Sequence, residues 1–157
     1  IRSGPGKGLK FNPGSTPDHA SFILGTYEKQ VQELIRTIVK PGWCVYDVGA
    51  NIGFHTLLFA RSVGSRGMVY AFEPVPSNLR ALRHNLRLNR FPQVQARAES
   101  LSEQNGPCSF MHSTGSRSAG GPSPPGRARQ KWPARSPAPS GATVPRSSTP
   151  MEYVIAT

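Results

Sequence analysis

Long apolar runs are missing from this 157-residue chain. Its longest strictly apolar stretches, such as Leu57 to Ala60, stop at four residues, against the roughly 20 that a membrane-spanning helix needs. No membrane segment is therefore expected in this chain. Cysteine is scarce too: Cys44 and Cys108 are the pair present, too few for a disulfide framework or a zinc site. A reducing, cytoplasmic setting is the default expectation. No signal-peptide pattern opens the sequence, and Ile1 in place of Met leaves room for a missing N-terminal piece. Acids are few, 8 against 19 Lys and Arg, for a net charge of +11. That balance raises nucleic acid, an anionic membrane or an acidic substrate as partners. In excess are glycine and proline, 16 of each, which exclude a helical bundle over the whole length.

These averages conceal a break near Phe110. Residues 111–157 hold 8 Pro, 8 Ser and 5 Gly but only Val144, Val154 and Ile155 from the Leu, Ile, Val and Phe set. So few apolar side chains do not offset the entropy of ordering the backbone. The expected organisation is a loop-rich segment over 1–26, a folded domain over 27–110, and a low-complexity, disordered tail over 111–157. The tail carries a net +5 of the total charge.

Within the folded part, Val31, Leu34, Ile35, Ile38 and Val39 follow helical spacing from Tyr27 onward, stopped by Lys40 and Pro41-Gly42. Trp43 to Val48 suits a buried strand. Phe54 to Ala60 has the length of a short helix core, and Met68 to Phe72 reads as a second strand. Pro76 to Asn89 is a clear helix, with Leu79, Leu82 and Leu86 on one face and Pro76 in the first turn. Gln93 to Ala98 and Cys108 to Phe110 are weaker strand candidates around a turn at Asn105 to Pro107. Alternation of this kind predicts a parallel α/β sheet with helices on both faces, binding its ligand beyond the carboxyl ends of the strands.

Those ends are Asp47 to Gly53 and Glu73-Pro74. Gly49 lets the backbone turn off the strand and approach a ligand. Gly53 opens a helix whose free amides favour a negative group. Asp47 puts a carboxylate at one strand tip, suited to an ammonium group or ordered water. Glu73, at the next tip, can accept both hydroxyls of a ribose. An adenosine bearing an amino-acid tail, S-adenosylmethionine, uses all of these together. A dinucleotide fits less well: its GxGxxG fingerprint is replaced by DxGxxxG with Asn51 in the middle, and Asp47 would repel a pyrophosphate. No GK[ST] follows, which excludes a P-loop. Asp47 and its glycines alone could also form a plain structural turn.

The segments GTYEKQ at 25–30, KPGWCVYDVGANIGFHTLLFA at 40–60 and GMVYAFEPVPSNLRALRHNLRLN at 67–89 resemble the FkbM family of S-adenosylmethionine-dependent methyltransferases, over roughly residues 25–110. The resemblance implies a Rossmann-like class I methyltransferase fold, present in its N-terminal part only, and methyl transfer, commonly to oxygen on a small-molecule or glycan acceptor. By motif matching, Asp47, Gly49, Ala50, Asn51 and Gly53 would line the methionine end, and Glu73 with Pro74 the ribose. Tyr27 and Glu28 would close over the site. The family's later KxDxEG-like acidic segment has no counterpart here. The composition shift near Met111 is what a truncated or frameshifted reading of a longer gene would produce.

Other residues read more plainly. Asn78 and Asn85 suit helix surface or packing roles, and His55 a first-turn helix position with catalytic base as the lesser reading. His19, His84 and His112 lack metal-ligand spacing, and Cys44 suits an inert strand position. Arg80, Arg83, Arg87 and Arg90 suit a solvated face, with nucleic acid as the less favoured reading. A nucleic-acid methyltransferase of related fold is an alternative, weakened by the absence of an [ND]PP[YF] motif. An inactive scaffold with a Pro-rich interaction tail is another, resting on the single PxxP from Pro122 to Pro125. The residues name no methyl acceptor and no oligomeric state.

Overall fold

The structure is a computed structural model that describes residues 1–100 and the backbone of three short strands at 109–111, 129–131 and 155–156. The chain divides into two compact units, Ile1–Leu101 with Pro145–Thr157, and Ser102–Val144.

The first unit is built on a parallel sheet. Strand β1 (Cys44–Val48) pairs in register with β2 (Met68–Phe72), from Cys44 opposite Met68 to Val48 opposite Phe72. On the far side of β2 lies β3 (Val94–Arg97), also parallel. Two helices make the crossovers, α3 (Phe54–Val63) and α4 (Pro76–Asn89). Both crossovers step the same way along the sheet. Right-handed connections of that kind put their helices on one face, and burial agrees. Val45 and Val69 pack with Leu57, Phe59 and Val63 of α3, while Ala71 packs with Leu79 and Leu82 of α4. The opposite face carries Tyr46, Val48, Tyr70 and Phe72, all half-buried. The expectation of helices on both faces is thus met on one face among the described residues.

The bounds of β2 and α4 match the sequence reading, because both segments are flanked by turn residues and proline. Three features lie outside the sequence reading. The 1–26 segment contains a helix, α1 (His19–Leu24), which closes at Gly25; six residues are too few to show a period. Helix α2 spans Lys29–Ile38, but its buried face is Gln32 and Ile35, continued by Val39. Leu34 and Ile38 are 56% and 42% exposed. Val31 packs against the same core, so the apolar stripe holds at Val31, Ile35 and Val39 and misses Gln32, which is buried by bonding backbone: its Nε2 donates to the carbonyls of Gly25 and Tyr27. Finally, the fourth place in the sheet belongs to β6 (Ile155–Ala156), parallel to β1 through Tyr46 and Asp47, giving the order β3-β2-β1-β6. Ile155 and Ala156 belong to the one run of successive apolar residues in the C-terminal segment, which suits them to this parallel sheet.

In the second unit, β4 (Ser109–Met111), foreshadowed at Cys108 to Phe110, pairs antiparallel with β5 (Arg129–Lys131). The expected turn at Asn105 to Pro107 and most of the expected disordered tail lie outside the described residues. Among the described residues, no helix is long and apolar enough to cross a membrane.

Candidate functional site

The carboxyl ends of β1 and β2 bring Asp47 and Glu73 to neighbouring strand tips, as their parallel register requires. Both are buried, 3% and 4% exposed. Between them runs the turn from Gly49 to Gly53. It is pinned to β2 by the N–H groups of Gly49 and Ala50, each donating to the Phe72 carbonyl at 3.0 Å. Glu73 then holds the turn from its other side. Its Oε2 accepts the Asn51 N–H at 2.8 Å, and its Oε1 accepts the Val75 N–H at 2.8 Å. Pro74 has no N–H to offer, so the first donor after Glu73 is Val75.

Asp47 is oriented by α3: Thr56 Oγ1 donates to its Oδ2 at 2.6 Å. Burial pushes the Asp47 carboxyl up to about 6, the charge of Glu73 pushes the same way, and the Thr56 bond opposes both. A carboxylate this enclosed is costly to ionise without a cationic partner.

The two glycines differ. Gly49 has φ +78, and a Cβ built there meets nothing within 4 Å; the space over the strand tips is open beside it. Gly53 has φ +90, and a Cβ there would run into the Leu82 side chain of α4. Gly49 therefore faces open space, and Gly53 is a packing contact that lets α3 start against α4. Asn51, also left-handed at φ 49, is exposed at the apex of the turn.

Glu28 meets a different partner, on the first turn of α3. It caps α2 in a left-handed conformation, φ 43, and its Oε2 stands 3.3 Å from His55 Nε2. That is ion-pair distance without hydrogen-bond alignment, since His55 Nε2 is buried with no hydrogen-bond partner. Burial lowers the His55 pKa and Glu28 partly offsets it. The Tyr27 phenol is raised by burial and then by Glu28. Tyr27 packs on Phe22 and Phe54, the first residue of α3, so this trio leans on the helix that the glycine turn opens. A cavity of about 320 Å³ between α2, α3 and Pro5 contains none of the candidate residues.

Thr56 has a role that the sequence reading did not give it, and Asn85 takes the packing alternative rather than the surface one. Thr56 orients Asp47, and Asn85, far from the helix surface, is fully buried with Nδ2 donating to the Ile52 carbonyl at 2.9 Å. A lone Asn on a stripe shared with Leu79, Leu82 and Leu86 is the signal for the second.

The sequence profile of the Methyltransferase FkbM domain matches residues 47–151. The chain belongs to the FkbM methyltransferase family. The matched stretch opens on Asp47 and runs past the limit near residue 110 that the motifs alone suggested. No curated protein matches the chain. Among solved structures, this FkbM domain is similar to a candidate rRNA methylase from Clostridium thermocellum, at 24% identity and TM-score 0.44 over 45% of this chain and 39% of that one. It is also similar to an S-adenosylmethionine-dependent O-methyltransferase from Thermotoga maritima, at 26% identity and TM-score 0.43 over 45% and 28%. A third is the S-adenosyl-L-methionine-bound fibrillarin of Aeropyrum pernix, at 22% identity and TM-score 0.39 over 46% and 32%. The chain spans less than two fifths of the length of each. The FkbM domain has a Rossmann-like α/β sheet, and it is a methyltransferase domain by family.

Proposed function

We propose that the protein binds S-adenosylmethionine across the tips of β1 and β2 and serves methyl transfer to an oxygen acceptor. The observation that carries this reading is the pair of buried carboxylates, Asp47 and Glu73, on either side of a glycine turn that is open above Gly49. The chemistry of the donor set fits the cofactor. Each Glu73 oxygen uses one lone pair on a backbone N–H and keeps another for a ribose hydroxyl. Gly49, Ala50 and Asn51 bring backbone close to the amino-acid tail, and Asp47 supplies the negative charge that an ammonium group would neutralise. The raised Asp47 pKa supports this, because such a carboxylate gains most from a cation. Pro74 closes the ribose side, and Glu28 with Tyr27 borders the entrance along α3.

The cofactor supplies an already activated methyl group on a sulfonium. The chain's own task is to hold an acceptor oxygen in line with that methyl and to keep water out. An acceptor that must shed its proton needs a base, and acceptor recognition falls to parts of the family fold beyond the described residues.

Calorimetry on the purified chain tests the reading. S-adenosylhomocysteine should bind more tightly than NAD, and Glu73→Ala should weaken it by about 1–3 kcal/mol, the worth of a charge-assisted hydrogen bond. Equal binding by wild type and Glu73→Ala would remove Glu73 from the site. A nucleic-acid acceptor has one observation in its favour: Arg80, Arg83, Arg87 and Arg90 are all exposed along α4. Salt-dependent binding of an RNA oligonucleotide, lost on reversing these charges, would favour that class.

A further inference from the structure

We infer that Asn85 is a positioning residue that couples the docking of an N-terminal strap, residues 10–12, to the geometry of the glycine turn. Filling the turn and fastening the strap would then favour each other. The ligand half of this statement rests on the cofactor reading above; the link between strap and turn does not.

The Asn85 side chain is fully buried, and its amide is used on both sides. Oδ1 accepts the Asn12 N–H at 2.8 Å, while Nδ2 donates to the Asn12 carbonyl at 3.1 Å and to the Ile52 carbonyl at 2.9 Å. One helical turn on, Asn89 repeats half of the pattern. Its Oδ1 accepts the Lys10 N–H at 2.9 Å, and its Nδ2 donates to the Lys10 carbonyl at 2.6 Å and the Asn85 carbonyl at 2.8 Å. The two amides treat alternate strap residues as a sheet edge treats a strand, each exchanging N–H and C=O with one residue. Only Asn85 also reaches the turn, at Ile52, between Asn51 and Gly53. The strap residue between the two bonded ones, Phe11, is buried and packs edge-on to Phe54 at 5.4 Å, on the first residue of α3.

The consequence follows from geometry. A buried amide with three bonds has no slack: moving Ile52 away leaves Nδ2 short of an acceptor, and releasing Asn12 leaves both Asn85 atoms short. A ligand that fixes the turn holds Ile52 in place and so favours the fastened strap. By reciprocity the fastened strap favours the ligand. Asn89 fastens the strap without touching the turn, which makes it the internal control.

Amide hydrogen exchange, read residue by residue by NMR on wild type, Asn85→Ala and Asn89→Ala, tests this. Without ligand, Asn85→Ala should speed exchange at Gly53 and Leu57, whose N–H groups close the turn onto α3, while Asn89→Ala leaves them within about two-fold of wild type. With S-adenosylhomocysteine, wild type should slow exchange at Lys10 and Asn12 by roughly 5–50-fold. Asn85→Ala should still bind the ligand yet lose the slowing at Lys10, which Asn89 continues to hold. Equal effects of the two variants on Gly53 and Leu57, or undiminished slowing at Lys10 in Asn85→Ala, overturn the proposal. If wild type binds no S-adenosylhomocysteine, the cofactor reading falls and the ligand-free comparison decides alone. Should Asn85→Ala not fold, Asn85→Asp keeps the acceptor for Asn12 and lacks the donor for Ile52. Its protection at Gly53, corrected for intrinsic rates, should then recover as the new carboxyl gains a proton, and no recovery counts against the proposal.

Discussion

Glu73 reaches across from the tip of β2 to hold Asn51 by its backbone: Oε2 accepts that N–H at 2.8 Å while Asn51 sits at φ 49. A side chain expected to serve a ligand thus also fixes the loop that would receive it. Left-handed backbone costs about 1–2 kcal/mol at a non-glycine residue, least for Asn, and the charge-assisted bond offsets that. Glu73→Ala should therefore destabilise the folded protein as well as weaken ligand binding. Two bonds to an ionised carboxylate are lost, for about 3 kcal/mol in all. Urea unfolding without ligand measures it, and an unchanged midpoint would show that the loop stands without Glu73.

Asp47 gives a pH dependence with a definite sign. Its carboxyl titrates near 6 when folded against an ordinary 3.8, so the unfolded chain ionises first as pH rises. Asp47 therefore costs no stability below about pH 4, costs progressively more up to about pH 6, and is level above it. The full span is about 3 kcal/mol at most. Asp47→Asn should remove that fall and be the more stable protein at pH 7, while binding S-adenosylhomocysteine less well. Unfolding free energies of the two proteins at a series of pH values decide it. A constant difference between them from pH 4 to 6 would contradict the assignment.

Gly49 and Gly53 should separate binding from stability. Gly53→Ala forces a Cβ into Leu82 at φ +90, combining backbone strain with overpacking, for about 3 kcal/mol of destabilisation. Gly49→Ala meets no protein atom within 4 Å and should cost only about 1–2 kcal/mol. Its methyl projects into the open space beside the turn, so its affinity for S-adenosylhomocysteine should drop more than about ten-fold. Thermal melts and calorimetry on both variants check the contrast, and the reverse ranking would put the ligand elsewhere.

His55 should respond to Glu28. Burial holds His55 below its usual pKa and Glu28 works against that. A histidine depressed in the folded state contributes stability that is present above its unfolded pKa and lost as pH falls through the folded value. Removing the carboxylate by Glu28→Gln should lower the His55 pKa further and deepen the acid loss. The ring-proton shifts of His55 in an NMR titration report this directly. An unchanged His55 pKa in the variant would mean that the 3.3 Å approach does not persist in solution.

Where local chemistry and packing agreed, the sequence was readable. Pro76 and the leucine stripe set α4, and β-branched and aromatic residues between turns set β1 and β2. The glycine turn with carboxylates at both strand tips was legible for the same reason, since parallel strands must end side by side. What failed to show was long-range. Gln32 looks like a surface residue, and Asn85 is open between surface and packing, until the backbone carbonyls they bond are known, and those come from Gly25, Tyr27, Asn12 and Ile52. Helix α1 was too short to carry a period. The place of Ile155–Ala156 beside Tyr46–Asp47 depends on a contact that no local pattern encodes. Glu28 entered the candidate site through its motif alone, and its contact with His55 is another that no local pattern encodes.

The rings of Tyr46 and Tyr70 lie 5.3 Å apart and tilted by 23°, on residues directly opposite each other in the β1–β2 pairing, with Phe72 at 6.1 Å from Tyr46. Because side chains alternate between faces, a slip of one residue would break this stack and at the same time swing Asp47 out of the interior. The two phenols are thus an optical gauge of alignment. Their coupled near-ultraviolet circular dichroism should appear only when β1 and β2 are correctly matched, and so only when the Asp47 carboxyl is on the inner face of the sheet.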